Sequence, residues 1–173
     1  LSYEMKKYQM QRPISWSNWP TADMLSHPNE PSIEQEDTVA INVEHIKATE
    51  AFEAGVFASY HIYPYYPEFI IYDAKYVSYQ KEDGTPDNYK AYLEDLIAQH
   101  TVPVLVAEYG VPSSRGCTHE NPLTGFNQGN LSEKQQGEML ASMATDIYDS
   151  GYCGGIAFTW QDEWFKRTWN TMD

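Results

Sequence analysis

The residues of this chain that could perform chemistry lie where apolar, strand-like segments end. Glu108 closes the run TVPVLVAE at residues 101–108, which is almost continuously apolar. A carboxylate at the end of such a strand is costly unless it is paired, binds a ligand or reacts. An ion pair with Arg115 is the structural alternative. We favour a catalytic or ligand-binding role for Glu108.

Aromatic and polar side chains also mark the ends of the other expected strands. His61 and Tyr63 alternate after the segment 56–61, so both can reach Glu108 if the two strands are neighbours. The alternative is that these two side chains only pack with other aromatic residues at the strand ends. The remaining strand-end candidates for substrate binding are Trp16, Tyr109 and Trp160. Trp160 could be a platform for a sugar ring or, alternatively, a core tryptophan.

Strand-like and helix-like segments alternate along the chain, which indicates an α/β fold with a parallel sheet. After a first Lys-bearing helix, strands are expected at 12–16, 56–61, 101–108 and 155–160, with helices at 42–54, 87–99 and 132–148. Asp87 is an expected helix cap, and Ser132 with Gln135 forms a capping-box pattern. The last helix should turn Met139, Leu140, Met143, Ile147 and Tyr148 inward.

The loops that follow the strands are long, at 63–85 and 111–130, whereas those that precede them are short. In parallel α/β folds, long loops at the carboxyl ends of the strands build the binding site. The candidate residues above all fall at that edge. The order of segments therefore predicts a single domain over 1–173 with its site at the carboxyl edge of a four-stranded sheet.

Composition excludes several classes of function. The net charge of −14 argues against a nucleic-acid partner, which needs a basic surface. No apolar stretch is long enough to span a bilayer. Neither a dinucleotide nor a P-loop motif is present, and His119 lacks spaced metal partners, so no cofactor or metal is expected. The two cysteines, Cys117 and Cys153, are expected to be free thiols, and they leave the compartment open.

Three of these motifs, taken in order, resemble the last three strands of clan A glycoside hydrolases, which are retaining enzymes on (β/α)8 barrels. The motifs are H-x-Y-P at 61–64, VLVAEYG at 104–110 and FTW at 158–160. The resemblance implies that Glu108 is the nucleophile, that His61 and Tyr63 surround it, and that Trp160 stacks on the sugar. Residues 14–16 would then be the fifth strand.

The chain departs from this family pattern at the acid/base residue, a Glu that follows Asn at the end of the fourth strand. The only Asn-Glu pair here is Asn29-Glu30, which lies in a loop. The resemblance therefore implies the C-terminal half of a TIM-barrel-like domain, with its acid/base residue outside this chain. We expect the isolated segment to be inactive as a glycosidase. A location outside the cell or on its surface is compatible with such a protein.

Two alternatives from other classes remain open. The first is a non-catalytic carbohydrate-binding domain that keeps the aromatic cleft. The second is an interaction domain derived from such a barrel. On any of these hypotheses the open half barrel needs a cover, either the N-terminal half of the barrel or a second copy of the chain. Carbohydrate is the expected ligand if the chain is part of a glycosidase or a carbohydrate-binding domain.

Overall fold

The computed structural model describes residues 1–28 and 39–161. The helices are α1 (Ser2–Tyr8), α2 (Phe69–Tyr72), α3 (Ala74–Val77), α4 (Asn88–Ile97) and α5 (Glu133–Asp149), and short 3-10 helices lie at Pro20–Ala22 and Val43–His45. The strands are β1 (Ser17–Asn18), β2 (Ala58–His61), β3 (Val104–Tyr109) and β4 (Gly154–Ala157).

The four strands form one all-parallel sheet in the order β1-β2-β3-β4. Parallel neighbours require a crossover connection, and helices supply it: α2, α3 and α4 between β2 and β3, and α5 between β3 and β4. The expected α/β class and parallel pairing are thus confirmed. The carboxyl ends of all four strands lie at one edge of the sheet.

Local sequence signals correctly located the two longest helices. The side chain of Asp87 accepts a hydrogen bond from the backbone N–H of Lys90, which caps α4. Ser132 and Gln135 form a reciprocal capping box at the start of α5. α5 buries Met143 and Ile147 against the core, but Tyr148 is 80% exposed, so its expected inward position was wrong.

Three expected elements differ from the structure. The helix expected at 42–54 is only a 3-10 turn at Val43–His45, because the side chain of Glu44 binds the segment before β3 rather than a helical neighbour. The expected loop 63–85 contains α2 and α3. The first strand pairs at Ser17 and Asn18, with a single bridge from Ile14 to Val56 before it, so it ends later than expected.

The core lies between the sheet and its helices. α5 packs on β3, β4 and α4, and the largest fully buried side chains include Tyr60, Phe69, Tyr76 and Tyr92. Many of the aromatic residues therefore serve the core. Cys117 and Cys153 are both free and exposed. None of the helices in the described ranges has the length and apolar character that crossing a bilayer requires.

Candidate functional site

The carboxyl edge of the sheet brings His61, Tyr63 and Glu108 together. His61 ends β2 and is the register partner of Glu108 on β3. A backbone hydrogen bond of 2.9 Å from Ile62 N to Glu108 O continues the pairing beyond His61. Tyr63 follows directly, in a turn closed by a bridge to Tyr66. Three side chains from two neighbouring strand ends are thus fixed by sheet pairing rather than by a long loop.

Contacts around Glu108 are concentrated on one oxygen. Tyr63 donates its hydroxyl to Glu108 Oε2 at 2.7 Å, and His61 Nδ1 lies 3.4 Å from the same oxygen. Among the residues that the structure describes, Glu108 Oε1 has no hydrogen-bond partner, and no lysine or arginine pairs with the carboxylate. The glutamate side chain is 26% exposed. The carboxylate is therefore held in place on one side and open to a ligand on the other.

His61 faces Glu108 through a ring nitrogen. Its Nδ1 atom is buried and makes no hydrogen bond within the described part of the chain, and Glu108 Oε2 lies 3.4 Å from it. Buried polar groups are nearly always satisfied, and a slight shortening of this contact would satisfy the nitrogen, so His61 is a group that orients Glu108. The edge of the Trp19 ring packs against the imidazole with centroids 4.9 Å apart. Trp19 is 43% exposed and so adds an accessible aromatic surface beside Glu108.

The negative charge of Glu108 also affects Tyr65, which lies behind Tyr63 at this edge of the sheet. The Tyr65 side chain is buried, and its ring centroid lies 5.5 Å from that of Tyr63. Burial, and then the charge of Glu108, raise the pKa of the Tyr65 hydroxyl. Tyr65 therefore stays protonated at ordinary pH and can only act as a neutral hydrogen-bonding or packing group.

Gly110 keeps the ends of β3 and β4 close together. A Cβ atom at this position would lie 2.6 Å from the backbone oxygen of Phe158, which is closer than real side chains approach. Any other residue would push apart the two segments that leave β3 and β4. The glycine of the AEYG motif thus preserves the geometry of the edge that carries Glu108.

The other three candidates do not join this group. Tyr109 is buried in the core, where its ring and Ile147 of α5 both approach Gly155. Trp16 is half-buried and lines a cavity of about 280 Å³ with Val56 and Thr101. These two residues precede β2 and β3, so Trp16 belongs to the opposite edge of the sheet.

Trp160 is 95% exposed. It is neither a core tryptophan nor packed against Glu108. Within the described ranges, Trp19 is the tryptophan that packs against this group, through His61, and sequence reasoning did not select it. Its signal was its place directly after β1, three residues beyond the expected strand end at residue 16. Asn29 and Glu30, the only Asn-Glu pair of the sequence, lie outside the described residues.

In the described ranges, no three His, Cys, Asp or Glu side chains are grouped as metal ligands. Comparisons with known proteins give no further guide. The chain matches no protein-family model, no curated protein and no solved structure at a significant level. The assignment of a function therefore rests on the geometry of the site and on the motif resemblance.

Proposed function

We propose that this chain is a glycosidase-type, carbohydrate-acting domain in which Glu108 is the nucleophile of a retaining mechanism. One observation carries the proposal: Glu108 is oriented by Tyr63 and His61 at the carboxyl edge of a parallel sheet, and its other oxygen has no partner among the described residues. In a retaining glycosidase a carboxylate attacks the anomeric carbon while a second carboxylic acid protonates the leaving oxygen. Held on Oε2, Glu108 could attack through Oε1.

The proposal also specifies the kind of α/β fold to which the sheet belongs. We propose that the sheet is the second half of a (β/α)8 barrel, with the acid/base residue contributed by the first half. Ile156 is 55% exposed and Phe158 is 41% exposed, although strands of parallel sheets are normally covered on both faces. Such exposure fits a sheet that has more protein to pair with.

A trapping experiment tests the role of Glu108 independently of the acid/base residue. With 2-deoxy-2-fluoroglycosyl fluorides, the carboxylate forms a bond to the anomeric carbon and fluoride leaves without needing a proton. We therefore expect the 173-residue chain to be labelled at Glu108 by a matching reagent of this class, and peptide mass spectrometry would locate the label. Glu108→Gln should lose labelling by more than about 100-fold.

The same chain should not hydrolyse ordinary aryl glycosides appreciably, because general acid catalysis contributes roughly 10²–10⁴-fold and its carrier is proposed to lie elsewhere. Robust turnover would contradict this expectation and would require a second carboxylate within the chain. Labelling at a residue other than Glu108 would refute the nucleophile assignment.

A non-catalytic carbohydrate-binding domain is the second candidate, favoured by the exposed aromatic surface of Trp19 beside the site. It predicts that saccharides bind without any covalent label. An interaction domain predicts neither binding nor labelling. The fluoride reagents and a parallel saccharide titration therefore separate the three hypotheses.

The exposed apolar residues of β4 lead to a prediction about assembly. If no first half is present, a second copy of the chain can cover the open sheet, and a two-fold dimer is the commonest closed arrangement. The net charge of −14 opposes association, but salt screens it beyond about 8 Å. We expect light scattering to show self-association at tens of micromolar. A clean monomer would contradict this.

A further inference from the structure

A second polar cluster lies beside the Glu108 site and has no role in the chemistry proposed above. It is carried by a loop after β3, in which residues 117–130 form a hairpin. Gln128 donates its backbone N–H to the carbonyl of His119 at 2.8 Å, and Thr118 donates to the carbonyl of Gln128 at 3.1 Å. The hairpin fixes His119 by backbone pairing, so its position is defined by the fold.

Asn121 attaches this hairpin to the segment that follows β2. Its side chain is fully buried, and its amide donates to the carbonyl of Pro64 at 2.9 Å and to Asn88 Oδ1 at 3.0 Å. Pro64 lies next to Tyr63, which binds Glu108. The hairpin is therefore docked on the same short segment that orients the proposed nucleophile.

His119 and Glu68 form an incomplete pair. His119 Nδ1 lies 2.6 Å from Gln128 Oε1, so Nδ1 is the donor and, in the neutral ring, Nε2 is an acceptor. Nε2 is 3.6 Å from Glu68 Oε1, which is too long for a hydrogen bond. The two side chains are 26% and 30% exposed. Two neighbouring acceptors, both reachable from solvent, can each receive a hydroxyl group.

Aromatic rings connect this pair to Glu108. The His119 ring lies nearly parallel to Tyr65, with centroids 6.2 Å apart and an angle of 16° between planes, and Tyr66 packs at 5.3 Å. Tyr65 in turn packs against Tyr63, whose hydroxyl binds the carboxylate. Tyr65 is buried behind the surface, so a ligand can reach only Tyr63 and Tyr66, which are partly exposed and joined by a backbone bridge. Partly exposed aromatic rings with hydrogen-bonding groups on either side are the kind of surface that binds sugar rings.

We propose that Glu68 and His119 form a second saccharide subsite, which receives two adjacent hydroxyl groups of a sugar unit next to the one at Glu108. This rests on the proposed carbohydrate function and specifies its ligand as an oligosaccharide rather than a monosaccharide. Glu68 and His119 are specificity-determining groups here. They bind the ligand and take no part in bond cleavage.

Affinity measurements on the 173-residue chain test the subsite. The probes are cellotetraose, laminaritetraose, mannotetraose and xylotetraose, each compared with the corresponding methyl β-glycoside. Binding is followed by NMR through the ring protons of His119 and the indole N–H of Trp19. We expect one tetrasaccharide to shift both signals, and the methyl glycoside to shift only that of Trp19.

Glu68→Gln and His119→Ala should each weaken tetrasaccharide binding by about 10-fold or more, since Glu68→Gln replaces a charged acceptor with a weaker neutral one and His119→Ala removes an acceptor altogether. Binding of the methyl glycoside should not change. Glu120→Gln and His45→Ala are matched controls at exposed positions and should leave both affinities unaltered. Glu68→Gln preserves shape, so it remains informative if His119→Ala disturbs the hairpin.

Two results would overturn the subsite, and they differ in what they say of the proposed function. If the tetrasaccharide binds all variants equally and leaves the His119 signals unmoved, the subsite is wrong while carbohydrate binding at Glu108 stands. If none of the seven probes (four tetrasaccharides and the methyl β-glycosides of glucose, mannose and xylose) shifts the Trp19 signal, carbohydrate binding at Glu108 fails and the subsite fails with it.

Discussion

Two glutamates, one at each edge of the same sheet, are exposed to a similar extent but differ in how their carboxylates are satisfied. Glu108, at the carboxyl edge, is 26% exposed, and Glu44, at the opposite edge, is 19% exposed. Glu44 Oε1 accepts backbone N–H groups from Thr101 and Val102, at 2.7 and 3.4 Å, and Oε2 accepts the Thr101 hydroxyl. Of the residues that the structure describes, only Tyr63 donates a hydroxyl to Glu108.

This difference separates a structural carboxylate from a candidate functional one. Hydrogen bonds to the charged form stabilise it. The Thr101 hydroxyl first, and then the backbone N–H of Thr101 and the His100 ring, lower the pKa of Glu44 to about 2. Glu44 thus ties the 3-10 turn at Val43–His45 to the start of β3, and both of its oxygens accept hydrogen bonds from the protein. Glu108 keeps one oxygen for a partner that the described residues do not supply.

The largest effect on stability is expected from Glu44→Ala. It leaves the N–H groups of Thr101 and Val102 without their acceptor, and it removes a charge-assisted contact to His100. Hydrogen bonds to charged groups contribute about 1.5–3 kcal/mol each, and partial exposure reduces this, so we expect a total loss of about 2 kcal/mol. Urea denaturation would measure it.

Glu53→Ala is the matched control, since Glu53 is exposed and lies in the turn before β2. It should change the free energy of unfolding by less than about 0.5 kcal/mol. Equal effects of the two substitutions would show that the contacts of Glu44 add nothing to stability.

A smaller and more specific effect is expected in the pH dependence of unfolding. The folded pKa of Glu44 is about 2, below its ordinary value of 4.5. The unfolded chain therefore binds a proton first as pH falls, so the contribution of Glu44 is complete above about pH 5 and decreases from there toward pH 2. Unfolding midpoints measured from pH 6 to pH 3 should fall less steeply in Glu44→Gln than in the wild-type chain. Parallel slopes would contradict the assignment.

Sequence alone was enough to predict part of the fold and part of the candidate site. Patterns that depend on neighbouring residues were reliable: the capping box of Ser132 and Gln135, the cap at Asp87 and the apolar run of β3. They led to a correct parallel sheet and to Glu108 at its edge. The contact of His61 and Tyr63 with Glu108 followed from that parallel order.

Long-range contacts could not be predicted in this way. Residues 42–54 have a helical pattern, but Glu44 bonds to residues more than fifty positions away, and that tertiary contact prevailed over the local preference. The helices α2 and α3 span four residues each, too few to show a periodicity. Trp19 was missed because β1 has only two residues, so its end could not be located from pattern alone.

The smallest effect on stability is expected from Glu108→Gln, and this is the sharpest test of the contrast. The amide oxygen of glutamine can still accept the Tyr63 hydroxyl, and the substitution removes a partly buried charge that has few donors. We expect the free energy of unfolding to change by less than about 0.5 kcal/mol, or to rise, while fluoroglycoside labelling is lost.

Glu94→Gln is a matched control, because Glu94 also accepts a tyrosine hydroxyl, that of Tyr79 at 3.1 Å, but on an exposed surface. It should keep both stability and labelling. A loss of about 2 kcal/mol in Glu108→Gln would instead mean that Glu108, like Glu44, is held for the sake of the fold.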